Sequence, residues 1–217
     1  MTANRLFKNL DSFFTQFKSV FYKKRQIIIR SEDIPQGVFF LKKGYVRQFL
    51  ISRDGHELTT SIYKPYDIFP LEWVLNNKVS RYHFETITEV KVSRAPREYF
   101  LQLIKSNPEI FFKLITRLIN RIDVFSERME YLAFGQAEQR IAALLLVFSE
   151  RFGKKMERGI LIQLPLTHKD IASFLGLSRE TVSIEMKKLE KKEIFVHKLR
   201  LITIKKINLL KKEAALA

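Results

Sequence analysis

The chain has 217 residues, and 39 Lys and Arg stand against 23 Asp and Glu, for a formal net charge of +16. That length holds two domains of ordinary size, and the charge points to a polyanionic partner, nucleic acid or an anionic membrane surface, unless it is only a lysine-rich solvated exterior. The lack of cysteine excludes a disulfide framework and any thiolate-held zinc or iron–sulfur site.

Residues 1–20 are interrupted by Lys8, Asp11, Gln16 and Lys18, which excludes an ordinary signal peptide. No apolar run reaches the roughly 20 residues that span a bilayer, so a cytoplasmic protein is expected. Residues 4–22 carry Leu6, Leu10, Phe13, Phe14, Phe17 and Phe21 at helical spacing. That pattern predicts an amphipathic helix that either packs on the following domain or lies on a membrane surface.

Residues 25–95 change character. Short aromatic and β-branched segments at Gln26–Ile29, Val38–Phe40, Tyr45–Ile51, Leu58–Tyr63, Phe84–Ile87 and Val90–Ser93 are separated by Lys42-Lys43-Gly44, Arg53-Asp54-Gly55 and Lys64-Pro65-Tyr66-Asp67. Asp-Gly between alternating strands is a hairpin signal, and several short strands at this spacing predict an antiparallel sandwich or jelly roll.

Residues 108–134 read as one long helix opened by Pro108. Phe111, Ile115, Leu118, Ile122, Phe125, Met129 and Leu132 recur at alternating spacings of four and three. That is an a/d seam over about three heptads, suited to a helix pair across a dimer axis or to a buried core helix. Gly135 breaks it, and a second helix is expected over Ala137–Phe152.

Leu166–Lys192 reads as two short helices around a tight turn. Thr167 caps the first, whose apolar face carries Ile171, Ala172, Phe174 and Leu175. Gly176 allows the left-handed residue that stops it, and Ser178 caps the second. The second helix buries Val182, Met186 and Leu189 and displays Arg179, Glu180, Ser183 and Lys187. Such a helix-turn-helix either packs as ordinary helices or lays its second helix in a DNA major groove. Residues 194–196 and 201–204 form a predicted hairpin wing with His197, Lys198 and Arg200 at its tip. Lys198 and Arg200 suit phosphate contacts or a plain solvated hairpin. Residues 207–217 form a short Lys-rich helix of no assigned role.

The segment D-I-A-S-F-L-G-L-S-R-E-T-V-S-I-E-M-K-K-L resembles the helix-turn-helix of the CRP/FNR transcription regulators, I-A-x-x-L-G-x-S-R-E-T-V-S-R-x-L-x-x-L. The matched residues are Ile171, Ala172, Leu175, Gly176, Ser178, Arg179, Glu180, Thr181, Val182, Ser183 and Leu189. Ile184 replaces the family's Arg, Met186 its Leu, and Glu193 the Gly before the wing. D-G-H-E-L-T-T-S-I-Y-K-P-Y-D-I-F is similar to that family's sensor pattern D-G-x-E-x-x-x-x-x-x-x-P-G-D-x-F, with Tyr66 in place of Gly.

The resemblance implies an α+β protein with three parts. These are an N-terminal antiparallel β jelly roll of cyclic-nucleotide-binding type (1–107), a dimerisation helix with hinge (108–135), and a winged helix-turn-helix DNA-binding domain (136–217). It implies double-stranded DNA carrying an inverted repeat as partner, contacted through Thr167, His168, Ser178, Arg179, Glu180, Thr181, Ser183, Lys187, Lys198 and Arg200. It implies a homodimer through Ile115, Leu118, Ile122, Phe125, Met129 and Leu132, with RNA polymerase a further candidate partner and no membrane. In the family's effector cassette a Gly-Glu pair and a later Arg-Ser or Arg-Thr hold the cyclic phosphate and ribose. Here Pro70, Leu71, Glu72, Arg81 and Tyr82 occupy that stretch. Pro70 has no N–H to donate and Leu71 is apolar, so the pocket reads as degenerate, with Trp73 and Tyr82 filling it and Arg81 paired to Glu72 or Glu85. The four histidines, His56, His83, His168 and His197, stand in separate elements without metal-ligand or triad spacing, and no glycine-rich phosphate loop occurs. Neither cofactor, metal nor catalysis is expected. Gating by an unidentified small molecule, and a helix-turn-helix that serves protein contacts, stay open as alternatives.

Overall fold

The computed structural model describes residues 10–216, which divide into two compact units at Leu118 and Ile119. The first unit begins with helix α1, whose described part is 10–15, followed by β1 (Ser19–Tyr22), β2 (Ile27–Ile29), β3 (Val38–Lys43), β4 (Val46–Ile51), β5 (Glu57–Tyr63) and β6 (Ile68–Phe69). Then come α2 (Leu71–Asn76), β7 (His83–Thr86), β8 (Val90–Ala95), α3 (Arg97–Ser106) and the long α4 (Pro108–Phe134), in which the division falls. The strands form two antiparallel sheets, ordered β1-β8-β3-β6 and β2-β7-β4-β5. The β4–β5 hairpin turns at Asp54-Gly55, where Gly55 has φ 80° and the Ser52 N–H donates to the His56 carbonyl at 2.9 Å.

Aromatic side chains fill the sandwich. Phe39, Phe69, Phe84 and Tyr63 stack in one cluster, with Phe39–Phe69 and Phe69–Phe84 ring centroids 5.4 and 5.3 Å apart. A second cluster joins α1, β3 and the helices through Phe14, Phe40, Trp73, Phe100, Ile110 and Leu114. Each fully buried phenylalanine contributes about 1.5–3 kcal/mol. The expected helix over 4–22 is therefore corrected. Phe14 stacks on Phe40 at 4.9 Å, which is the packed reading, but Ser19–Tyr22 is a strand paired to β8 and Phe21 is exposed. Leu6 lies outside the described residues.

A buried arginine, Arg47, lies within the sheet β2-β7-β4-β5. Arg47 donates to Glu85 at 3.1 Å and to Glu57 at 2.6 Å, Arg25 also reaches Glu85 at 3.0 Å, and the Arg47 guanidinium lies 4.1 Å from the Phe49 ring centre. Burial works against the Arg47 charge, but the bonds to Glu57 and Glu85 outweigh it and its pKa is raised.

The second unit contains α5 (Ala137–Phe152), β9 (Gly153–Met156), β10 (Gly159–Ile162), α6 (His168–Leu175), α7 (Arg179–Lys191), β11 (Phe195–Lys198), β12 (Leu201–Ile204) and α8 (Ile207–Ala214). Its sheet runs β11-β12-β10-β9. The core is the buried face of α5, with Ile141, Leu145 and Phe148, against α7 and α8.

Two departures from the family pattern carry a visible conformational cost. Tyr66 (φ 74°) and Glu193 (φ 56°), each where the family has Gly, keep the left-handed backbone that Gly adopts without penalty. Both are held in place. Tyr66 donates its N–H to the Leu41 carbonyl at 2.7 Å and accepts from Arg117 at 3.0 Å, and the Glu193 carboxylate pairs with Lys206 at 2.8 Å.

Candidate nucleic-acid interface

The helix-turn-helix forms for reasons that are local. The Thr167 hydroxyl accepts from the Asp170 N–H at 3.1 Å while the Asp170 carboxylate accepts from the Thr167 N–H at 2.8 Å, a reciprocal cap that starts α6. Gly176, at φ 62°, stops it, and the N–H groups of Gly176 and Leu177 both donate to the Ala172 carbonyl. The Ser178 hydroxyl accepts from the Thr181 N–H at 3.0 Å and starts α7. Val182, Met186 and Leu189 are buried, so the opposite face of α7 is turned outward. On it Arg179, Glu180 and Lys187 are exposed and Thr181 and Ser183 half-buried. Ile184, left open between core and groove, is 56% exposed and so belongs to the outer face.

The wing is brought against this face. The Leu166 N–H donates to the Arg200 carbonyl at 2.8 Å, the His197 N–H donates to Glu190 of α7 at 3.1 Å, and the His168 and His197 rings lie 5.6 Å apart. Lys198 and Arg200 are exposed beside them. Among the described residues the buried Nε2 of His197 has no hydrogen-bond partner. The pairing of two histidines from separate elements was not legible in their spacing. Of the ten residues in the candidate interface, the hydroxyls of Thr167, Ser178 and Thr181 are engaged in caps, Arg179, Glu180, Lys187, Lys198 and Arg200 are exposed, and Ser183 and the His168 ring are half-buried.

Burial, followed by His197, Arg179 and Lys187, holds the His168 pKa below the usual imidazole range, with Glu190 opposing. The folded protein therefore takes up this proton less readily than the unfolded chain, whose imidazole titrates near 6.5. Stability due to the neutral ring is present above that pH and is lost as the pH falls from about 6.5 toward the folded pKa. His168→Gln should reduce the stability difference between about pH 7.5 and about pH 5.5, measured by urea unfolding beside the parent. An identical pH profile would show that His168 carries no such linkage.

On α4, only Ile110 and Leu114 are buried, which removes the alternative of a core helix. Ile122, Phe125 and Met129 are 62%, 51% and 52% exposed, and Ile115, Leu118 and Leu132 are half-buried. The seam is thus an open apolar stripe on a single chain. Arg128, next to it, donates to the Phe174 carbonyl at the end of α6. Burial pushes its guanidinium down to about 10, so it remains charged at neutral pH.

The stretch around Pro70, Leu71, Glu72, Arg81 and Tyr82 is largely occupied by its own contacts. Pro70 precedes α2, and Leu71 packs on the core cluster that holds Trp73. Glu72 accepts from Gln48 at 3.5 Å, the Tyr82 N–H donates to the Ser80 hydroxyl at 3.2 Å, and Arg81 is exposed. Two expectations are corrected. Glu85 pairs with Arg25 and Arg47, not with Arg81, and Trp73 and Tyr82 belong to different clusters instead of filling one cavity together. Among the described residues no group of three or more His, Asp or Glu is placed to hold a metal ion, and no helix is long and apolar enough to cross a membrane.

Comparison with known proteins agrees with this architecture. Residues 19–107 match the profile of the cyclic nucleotide-binding domain, and residues 139–213 that of the Crp-like helix-turn-helix domain. A global nitrogen regulator of Nostoc sp. is 31% identical over 191 residues, 87% of this chain and 86% of the relative. The regulatory protein HlyX of Actinobacillus pleuropneumoniae is 25% identical over 199 residues, 92% of this chain and 82% of the relative. The solved structure of FixK2 from Bradyrhizobium japonicum superposes with a TM-score of 0.81 at 23% identity, covering 93% of this chain and 98% of that one. With its β sandwich, long helix and winged helix-turn-helix, the chain belongs to the CRP/FNR family of DNA-binding transcription regulators.

Proposed function

We propose that the protein is a homodimer that binds an inverted-repeat operator in double-stranded DNA and does not depend on a cyclic nucleotide. The carrying observation is the outward N-terminal turn of α7, where Arg179 and Glu180 stand exposed above a helix anchored by Val182, Met186 and Leu189. Arg179 suits the O6/N7 edge of guanine, Glu180 the N4 of cytosine, Ser183 several edges, and Ile184 a thymine methyl. Lys187, Lys198, Arg200 and His168 suit phosphates, and Thr167, Ser178 and Thr181 set the two helix starts. The domain reading keeps residues 1–107 as sensor-like, 108–135 as dimer helix and hinge, and 136–217 as DNA-binding domain. RNA polymerase is a natural partner for such a regulator. Selection of bound duplexes from a random pool tests the whole reading. An inverted repeat is expected, and failure to enrich any sequence would refute it.

Arg179→Ala should weaken binding to the selected duplex by about 1–3 kcal/mol and change binding to random DNA far less. Titrations of both duplexes by fluorescence anisotropy would check this, and equal losses on both would make Arg179 a phosphate contact only.

Cyclic AMP should neither bind tightly nor be needed for DNA binding. A cyclic phosphate requires aligned donors, yet Pro70 offers none and the Tyr82 N–H is already bonded to Ser80. Leu71 stands where the ribose carboxylate is expected. Each polar group left unmet costs roughly 1–3 kcal/mol, so two defects weaken binding by about two to four orders of magnitude. Calorimetry with cyclic AMP and cyclic GMP checks this, and micromolar binding would restore the nucleotide-gated alternative.

A further inference from the structure

We propose that Leu199, at the tip of the wing, inserts as an apolar wedge into the DNA minor groove beside the major groove faced by α7. This rests on the DNA-binding reading of α7 and adds a contact that no hydrogen-bonding residue supplies. The wing closes through a two-residue turn, with Lys198 paired to Leu201 across it. Its two central residues, Leu199 and Arg200, have φ 49° and 69°. A turn with both central residues at positive φ is ordinarily made by Asn-Gly, because a Cβ disfavours that backbone. Leu is a poor choice for the conformation and a poor choice for water, and this one is 96% exposed. A residue that is both strained and apolar at a solvent-facing tip marks a contact surface.

The surroundings identify the partner as nucleic acid. Lys198 and Arg200 are exposed on either side of Leu199, His197 precedes them in the hairpin, and no acidic residue lies between Phe195 and Ile204. The tip is held against the recognition unit by the bond from the Leu166 N–H to the Arg200 carbonyl. At the second residue pair below the tip, the His197 ring lies 5.6 Å from that of His168, which faces the charges of Arg179, Lys187 and the opposing Glu190 on α7. The wing and the recognition helix are therefore neighbours, joined also by the bond from the His197 N–H to Glu190, and the exposed cations Lys198 and Arg200 belong to the wing tip itself. Cations flanking one apolar side chain match a minor groove, where phosphates line both walls and an apolar wedge can part a base step. Steps that unstack easily, such as TA and CA, lower the cost of that insertion, so Leu199 adds sequence preference outside the bases read by α7.

The test uses the full chain and the duplex it selects from a random pool, with 2-aminopurine placed in turn at each step flanking the half-sites. Leu199→Asn suits the left-handed backbone and removes the apolar wedge. It should fold with an unfolding midpoint no lower than the parent, bind the selected duplex about tenfold more weakly, and lose the rise in 2-aminopurine emission that the parent causes at one flanking step. Arg179→Ala should retain that rise on DNA it still occupies while losing discrimination between selected and random duplexes. If Leu199→Asn binds as the parent does and no flanking step brightens, the wedge is refuted and Leu199 is left to a protein contact. If Arg179→Ala also changes nothing, the DNA-binding reading of α7 fails with it.

Discussion

Phe125→Asp should abolish the proposed dimer and leave single chains. Phe125 lies mid-seam on α4, half exposed in one copy, with Ile122 and Met129 on either side along the stripe. In a two-fold pair each copy presents the same stripe to the other, so one substitution places two carboxylates in one dry contact. The effective cost of burying an unpaired charge is several kcal/mol for each ion, which exceeds what the remaining apolar pairs can offset. Because Phe125 is not part of either unit's core, the single chain should keep its fold, and circular dichroism serves as the control. Sedimentation should give the mass of one chain, and affinity for an inverted repeat should drop steeply, since nothing then holds two recognition helices about 34 Å apart. A variant that still sediments as a dimer would place the dimer contact elsewhere.

Arg47→Ala should bring the first unit close to unfolding. The Arg47 side chain is only 7% exposed and its partners Glu85 and Glu57 are 12% and 25% exposed. Removing it leaves two nearby carboxylates with only Arg25 beside Glu85 and strips the face of Phe49. Breaking such a buried arrangement by deleting one member costs about 3–5 kcal/mol, against a typical domain stability of about 5–15 kcal/mol. Replacing all three groups, as in Arg47→Met with Glu57→Gln and Glu85→Gln, should cost much less because no charge is stranded. Urea unfolding followed by circular dichroism compares the two variants. Equal losses would refute the account in which stranded carboxylates carry the cost.

The parts legible in the sequence are those determined by neighbours along the chain. The caps at Thr167 and Ser178, the stop at Gly176, and the bounds of α4 and α5 follow from residues within one or two turns. What escaped depends on distant partners. Phe21 sits four residues after Phe17, as a helix would place it, but pairing of Ser19–Tyr22 with β8 decides its conformation. The β9 strand, Gly-Lys-Lys-Met, has no apolar alternation and exists because Gly159–Ile162 pairs with it. Arg47 carried no signal at all, because its acidic partners are 10 and 38 positions away on other strands. In the candidate interface the residue types of α7 were readable, whereas the closeness of His168 to His197 arises only when the wing folds back on α6.

Trp73 is the one tryptophan in the chain. It is 7% exposed, with the Arg97 guanidinium 5.9 Å from its ring centre and the Arg97 Nε donating to the Val74 carbonyl at 2.9 Å. The protein thus carries a built-in optical label that belongs to the first unit alone. Its emission reports melting of the β sandwich, while the helix-turn-helix unit unfolds without a tryptophan signal and registers only in the far-ultraviolet dichroism. Recording both signals in one denaturation separates the two transitions. An Arg47 variant should shift the emission midpoint first, whereas a lesion confined to α6 or α7 should lower the dichroism while leaving the emission unchanged.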